Sequence, residues 1–227
     1  MKIGILLSGN GVYDGAEIQE VAMAMLAIVE AGHEYQCISL NKEQHHVINH
    51  LNGEEMGESR NMLVESARIA RGDVLEVKDV SPSELDALVI PGGFGSAKNL
   101  TKWAFQGPEG EIDPEVKLLI VNMANIGKPI CGLCVSPIVI AKALEGSVIH
   151  AKMTLGSDAE SSPYDIKGFN TGIESIGAIS EMKTVREVKV DHVNKIVTAP
   201  CYMMDADILE IRNNVKQAIE ETLELAN

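Results

Sequence analysis

The sequence predicts a doubly wound α/β domain, a mostly parallel sheet with helices on both faces and a small β-hairpin near the C-terminus. Three observations lead there. Short apolar runs alternate with helical stretches along the chain, the pattern of a parallel sheet covered on both sides. Several of those runs close on glycine or proline before the next helix begins. Finally, the chain has 227 residues, 45% of them hydrophobic. That suits a single domain spanning 1–227, large enough to need neither disulfide nor metal to hold its core.

Residues 3–8 form the first strand, followed by a loop carrying Gly9, Gly11 and Gly15 and a helix over 16–31. Gly32 fits the position after a helix where a left-handed residue is common. Residues 35–40 make the second strand, and the polar stretch 41–59 is an irregular excursion from the basic fold rather than core. A helix over 60–70 ends near Gly72, and 74–80 returns as a strand. Ser81-Pro82-Ser83-Glu84 has the form of a capping box with proline at the first helical position. The apolar run 85–90, closed by Pro91-Gly92-Gly93, reads as a central strand with a tight turn. Asp113-Pro114 opens a helix that runs to Ile126 and stops at Gly127. A strand over 129–133 leads into a helix over 137–144. The last third offers a strand over 148–155, a helical piece around 172–176, a hairpin pairing 185–190 with 196–199, and a helix over 205–225. Right-handed crossovers then place the strand-to-helix turns at one sheet edge, where ligands collect.

The net charge of −14 argues against nucleic acid and anionic membrane as partners, because no basic stripe is on offer. No apolar run has the length of a membrane span, and Met1-Lys2 leads into a strand rather than a signal peptide. Four cysteines (Cys37, Cys131, Cys134, Cys201) in a chain of this kind point to reduced thiols and a cytoplasmic setting.

Three elements can carry chemistry. Cys134 falls where a strand turns abruptly into a helix, the geometry that lifts a nucleophile above a sheet. Amides opening that helix favour an anion, which lowers a thiol's pKa; the competing reading is a buried cysteine acting as a small hydrophobe. Glu20 lies in the first turn of helix 16–31, whose core face reads as Ile18, Val21, Ala22, Met25 and Val29, with a small-residue stripe (Ala24, Ala27, Ala31) on the other side. From there a carboxyl can reach a thiol at the end of another central strand, and burial would raise its pKa and fit it to carry protons. Glu17 and Glu20 also suit a helix N-terminus with no further role. Gly92 and Gly93 let backbone approach a ligand, and with the Val135 amide they can form an oxyanion hole beside the sulfur.

Other signals are weaker. Cys131 and Cys134 form a Cys-x-x-Cys, but Cys131 lies within the strand, out of phase with a redox pair, and no second pair completes a zinc site. His33, His45, His46, His50, His150 and His192 read as surface or satisfied core. The glycines at 9, 11 and 15 match neither nucleotide-binding spacing. Trp103 either lines the crevice or covers it.

Gly15-Ala16-Glu17-Ile18-Gln19-Glu20, Pro91-Gly92-Gly93-Phe94-Gly95-Ser96-Ala97-Lys98-Asn99-Leu100 and Cys134-Val135-Ser136-Pro137 resemble the ThiJ/PfpI superfamily, relatives of the class I glutamine amidotransferases. Residues 8–15, 47–51, Arg60-Asn61 and 194–203 are similar to its ElbB branch, associated with isoprenoid biosynthesis and glyoxalase activity. The resemblance implies a flavodoxin-like domain, usually a homodimer, with Cys134 as nucleophile, Glu20 as its carboxylate partner, and Glu17 in support. It also implies a cofactor-independent glyoxalase or deglycase that turns glyoxal into glycolate and methylglyoxal into lactate. The chain departs from many members in two ways: Val135 stands where they carry histidine, and no late His-x-Glu completes an amidotransferase triad. A redox-sensing or partner-binding protein using the same cysteine, or an amidotransferase subunit, are the alternatives.

Overall fold

The computed structural model describes all residues 1–227. The strands are β1 (Lys2–Leu7), β2 (Glu34–Ser39), β3 (Val74–Glu76), β4 (Ala87–Ile90), β5 (Ile130–Leu133), β6 (Lys152–Met153), β7 (Ile179–Ser180), β8 (Lys189–Asp191) and β9 (Ile196–Ala199). The helices are α1 (Ile18–Glu30), α2 (Met62–Ile69), α3 (Trp103–Gln106), α4 (Pro114–Asn125), α5 (Pro137–Leu144), α6 (Ile166–Ser175) and α7 (Ile208–Ala226). Seven strands form one sheet in the order β3-β2-β1-β4-β5-β9-β8, parallel except for the β8–β9 pair. The fold is therefore the doubly wound α/β class that the strand–helix alternation predicts, in the flavodoxin-like form that the resemblance implies.

The central strands β1, β4 and β5 are buried along almost their whole length, so they read as continuous apolar runs rather than alternating ones. Polar side chains set most helix starts. Glu17 caps α1, Asn61 caps α2, Asp113 with Pro114 opens α4, and Asp207 with Glu210 forms a capping box on α7. Gly32 and Gly127 take left-handed backbone after α1 and α4, as expected for helix ends.

Several expectations need correction. Helix α1 buries Glu20, Val21, Ala24, Ala27 and Ile28, whereas Ile18 and Val29 are 46% and 55% exposed. Ala24 and Ala27 of the small-residue stripe face inward, because alanines let α1 lie close to the neighbouring elements, α7 among them, while Ala31 is exposed. Residues 81–84 make only a 3-10 turn with no side-chain cap; the Ser81 and Ser83 hydroxyls bond each other instead. Strand β3 stops at Glu76 and gives way to another 3-10 turn. The stretch 148–155 contributes only β6, which pairs with β7 outside the main sheet. The hairpin's first arm is β8, shifted toward the turn, and α6 starts earlier than the sequence suggested, at Ile166. The 41–59 excursion is not detached from the core. Val47 is buried, and the Ile48 amide donates to Asp14 Oδ2 at 2.7 Å, tying this segment to the loop after β1.

Candidate active site

The C-terminal ends of β1, β4, β5 and β9 converge on one edge of the sheet, and Cys134 sits at its centre. Immediately after β5 the chain turns through Cys134, whose φ is +56°, before α5 begins. A side-chain-bearing residue in that left-handed conformation costs about 1–2 kcal/mol, so the surroundings must impose it. They do so with hydrogen bonds on either side. The Cys134 amide donates to Ala199 O at 2.9 Å, the Ser136 amide to Leu133 O at 3.0 Å, and the Ser136 hydroxyl to Ile90 O at 2.5 Å.

Glu20 reaches this point from the first turn of α1. It is 0% exposed, and its Oε2 accepts the Gly92 amide at 2.8 Å while Oε1 has no hydrogen-bond partner. Glu17 secures the turn below it: its Oε2 accepts the Glu20 amide at 2.7 Å. The thiol and the carboxyl meet beside the Cα of Gly92. A Cβ placed there would lie 2.4 Å from Cys134 Cβ, 2.8 Å from Glu20 Oε2 and 3.0 Å from Cys134 Sγ. Only glycine leaves both reactive groups room at that point.

Gly93 is equally constrained. Its φ is +94°, and an added Cβ would strike Gly15 O at 2.4 Å. The 91–95 turn is laced to the loop after β1 by the Glu17 amide on Gly92 O (2.9 Å), the Phe94 amide on Val12 O (2.7 Å) and the Gly95 amide on Gly15 O (2.9 Å).

Burial dominates the electrostatics. It pushes the Glu20 carboxyl up from 4.5 to about 8, and the neighbouring Glu17 charge adds to the effect. The Glu17 carboxyl is also raised, again chiefly by burial. Burial, followed by the Glu20 charge, drives the Cys134 thiol well above its ordinary value, even though the amides of Gly93 and Val135 face the sulfur and oppose the shift. The expectation of a lowered thiol pKa is thus corrected: the amides are present, but desolvation outweighs them. At neutral pH the site holds a neutral thiol and a neutral carboxyl. The oxyanion assignment changes as well. The Gly92 amide is taken up by Glu20, which leaves Gly93 and Val135 to face the sulfur.

Cys134 is 6% exposed and opens onto a cavity of about 280 Å³. Trp103 lines it rather than merely covering the crevice, and Glu17 is the one acidic or basic side chain on its wall. Tyr164, Phe169 and Tyr202 complete it from late in the chain, and the sequence reading missed all three because no local pattern ties them to Cys134. The Tyr164 hydroxyl is pushed up to about 12 by burial and so stays neutral, and the Tyr202 hydroxyl bonds Gln19 on α1. No histidine lines the cavity. His50 stacks on Tyr13 and accepts the Tyr13 amide, while His45 and His46 pack against Phe105.

All four cysteines are free and buried. Cys131 lies inside β5, its thiol pushed up to about 12 by burial. Cys201 follows β9 with a φ of +46°, its amide held by Asn214 Oδ1 at 2.9 Å. No group of three or more His, Cys, Asp or Glu side chains is arranged to hold a metal, and no helix is long and apolar enough to cross a membrane.

No family model matches the chain. A human protein, glutamine amidotransferase-like class 1 domain-containing protein 3, mitochondrial, is 37% identical over 228 residues, covering 99% of this chain and 83% of that protein. The crystal structure of an isoprenoid biosynthesis protein with amidotransferase-like domain from Ehrlichia chaffeensis superposes with a TM-score of 0.89 at 32% identity over 100% of both chains. Glyoxalase III from Candida albicans shares the fold at a TM-score of 0.61 and 14% identity, over 97% of each chain. Similarity at this level over the whole length of the chain makes this protein a member of the glutamine amidotransferase-like class 1 family.

Proposed function

We propose that the chain is a cofactor-independent glyoxalase-type enzyme that isomerises and hydrates 2-oxoaldehydes to 2-hydroxy acids. One observation carries the reading: a thiol on a strained elbow that opens onto a cavity shares one point beside Gly92 with a carboxyl buried behind it. Once Glu20 has lost its proton, its carboxylate takes the Cys134 proton. The sulfur adds to the aldehyde carbon, and the proton passes to the carbonyl oxygen, giving a hemithioacetal. Glu20 then removes the hydrogen on the thiol-bearing carbon and delivers a proton to the adjacent carbon, while the hydroxyl proton of the hemithioacetal passes to the adjacent carbonyl oxygen, leaving a carbonyl on the thiol-bearing carbon and a hydroxyl beside it. The product is a 2-hydroxyacyl thioester, which water cleaves to the acid and the free thiol. The Gly93 and Val135 amides supply donors for the oxyanions of the first and last steps.

No histidine lines the cavity, which counts against amide hydrolysis by a Cys-His triad and favours chemistry that needs only a thiol and a carboxyl. Homodimerisation and residence in a reducing compartment such as the cytoplasm belong to the same proposal. The apolar side chains Ile18, Leu26 and Val29 left exposed on α1 support the first, and the four free cysteines the second. The test is Cys134→Ser, assayed by 2-hydroxy acid formation from methylglyoxal. Turnover is expected to fall at least about a thousandfold with the fold intact by circular dichroism, because a serine hydroxyl is a far weaker nucleophile. Turnover equal to that of the native protein would overturn the mechanism.

A further inference from the structure

The chain has few aromatic residues, one Trp, four Tyr and three Phe, and they are not spread through the core. Of the 55 residues in the buried hydrophobic cluster only Trp103 is aromatic. Yet Phe94, Trp103, Tyr164, Phe169 and Tyr202, five of the eight, line the single cavity into which Cys134 opens. Eleven of the thirteen lining residues are hydrophobic. At about 280 Å³ the cavity approaches the lower end of the roughly 300–1,000 Å³ typical of pockets that enclose drug-sized ligands. Glyoxal and methylglyoxal are small, strongly hydrated molecules. Either would leave most of this wall facing water, which apolar surface disfavours.

Two of the rings pack on each other and present a continuous aromatic surface to the cavity. Phe94 and Tyr164 stand 6.1 Å apart at an interplanar angle of 68°, the edge-to-face relation that aromatic pairs prefer. Glu17, the one charged side chain on the wall, is engaged in capping α1 through the Glu20 amide and offers no counter-charge to an anionic substrate. We infer that the site selects 2-oxoaldehydes bearing an aromatic or comparably large apolar group on the ketone carbon, with the two-carbon and three-carbon aldehydes as poor substrates. This inference rests on the glyoxalase-type reading for its chemistry and on the cavity for its selectivity.

The experiment compares phenylglyoxal, methylglyoxal and glyoxal by formation of mandelate, lactate and glycolate. The kcat/KM for phenylglyoxal is expected to exceed that for methylglyoxal at least about thirtyfold, the factor expected from burying a phenyl ring. The variant Ala97→Leu, which places bulk on the cavity wall, is expected to cut that ratio at least about fivefold. A ratio at or below one in the native protein would overturn the inference while leaving the glyoxalase reading standing. Failure to turn over any of the three would overturn the glyoxalase reading. The cavity's preference is then read from Trp103, the single tryptophan, by titrating its fluorescence with acetophenone and with acetone. Saturable quenching by acetophenone, at least tenfold tighter than by acetone, supports an aromatic-binding site; equal or absent binding overturns it.

Discussion

Replacing Glu20 with glutamine is expected to stabilise the fold by about 3 kcal/mol at pH 7 while cutting turnover at least about a hundredfold to a measurable residue. The two effects share one cause. In the unfolded chain Glu20 ionises near 4.5, but in the fold burial holds it protonated up to about 8. Below the lower value both states carry the proton and the group costs nothing. As pH rises from 4.5 to 8 the unfolded state gains the freedom to ionise and the folded state does not, so stability falls across that window. Two and a half pH units into it, at pH 7, the loss is about 3 kcal/mol. Glutamine carries no such penalty, and its side-chain oxygen can still accept the Gly92 amide that Glu20 Oε2 accepts at 2.8 Å. For a chain of this size the gain corresponds to a rise of roughly 6–12 °C in Tm at pH 7, shrinking toward zero near pH 4.5. Thermal unfolding of both proteins from pH 4.5 to 8.5 checks it. A Tm difference that does not grow with pH would show that Glu20 is not held protonated by the fold.

Gly92→Ala is expected to remove at least about a hundredfold of the activity and to destabilise the protein by about 1–3 kcal/mol. Two opposing effects must be weighed. Alanine restricts the unfolded chain, which alone would stabilise by about 0.4–1 kcal/mol where the native backbone suits it, and Gly92 has no left-handed φ to forbid alanine. Against that, the new methyl would sit 2.4 Å from Cys134 Cβ and 2.8 Å from Glu20 Oε2. Overpacking of this kind costs about 1–3 kcal/mol, and the Cys134 Cβ cannot yield without moving an elbow held by three hydrogen bonds. Relief comes only by displacing the sulfur or the carboxyl, and a displacement of about 1 Å in reacting groups costs on the order of a hundredfold in rate. Denaturant unfolding with a methylglyoxal assay measures both terms. Native-like activity in this variant would mean that the thiol and the carboxyl do not work at the point beside Gly92.

Most of the strand-and-helix order of the fold was legible because the central strands are buried on both faces and helices such as α1 and α4 end on glycines in left-handed backbone; the short α3 and β7 were not. Cys134 was legible for a related reason: Gly132 to Pro137 leaves no length for anything but an abrupt turn between β5 and α5. The inward face of α1 was not. With Ile18, Leu26 and Val29 exposed and Ala24 and Ala27 buried, hydrophobicity around this helix does not report which side faces the core; closeness of approach decides. The thiol's ionisation was misread because the helix amides are local and visible in sequence. The desolvation that outweighs them comes from the burial of the elbow, which no local pattern displays. Apart from Trp103, which the sequence places at the crevice, the aromatic wall escaped notice for the same reason. Phe94, Trp103, Tyr164, Phe169 and Tyr202 come together only through the convergence of loops at the sheet edge.

The central claim is that Glu20, held near pKa 8 against a neutral thiol, moves the protons of the reaction. The pH dependence of kcat/KM for phenylglyoxal, in the native protein and in Glu20→Gln, tests it most directly. The native rate is expected to climb tenfold per pH unit from pH 6, to bend near pH 8 where the carboxyl ionises, and to lose that limb altogether in the variant. A native profile that is flat across this range, or a variant that keeps the same bend, would contradict the claim.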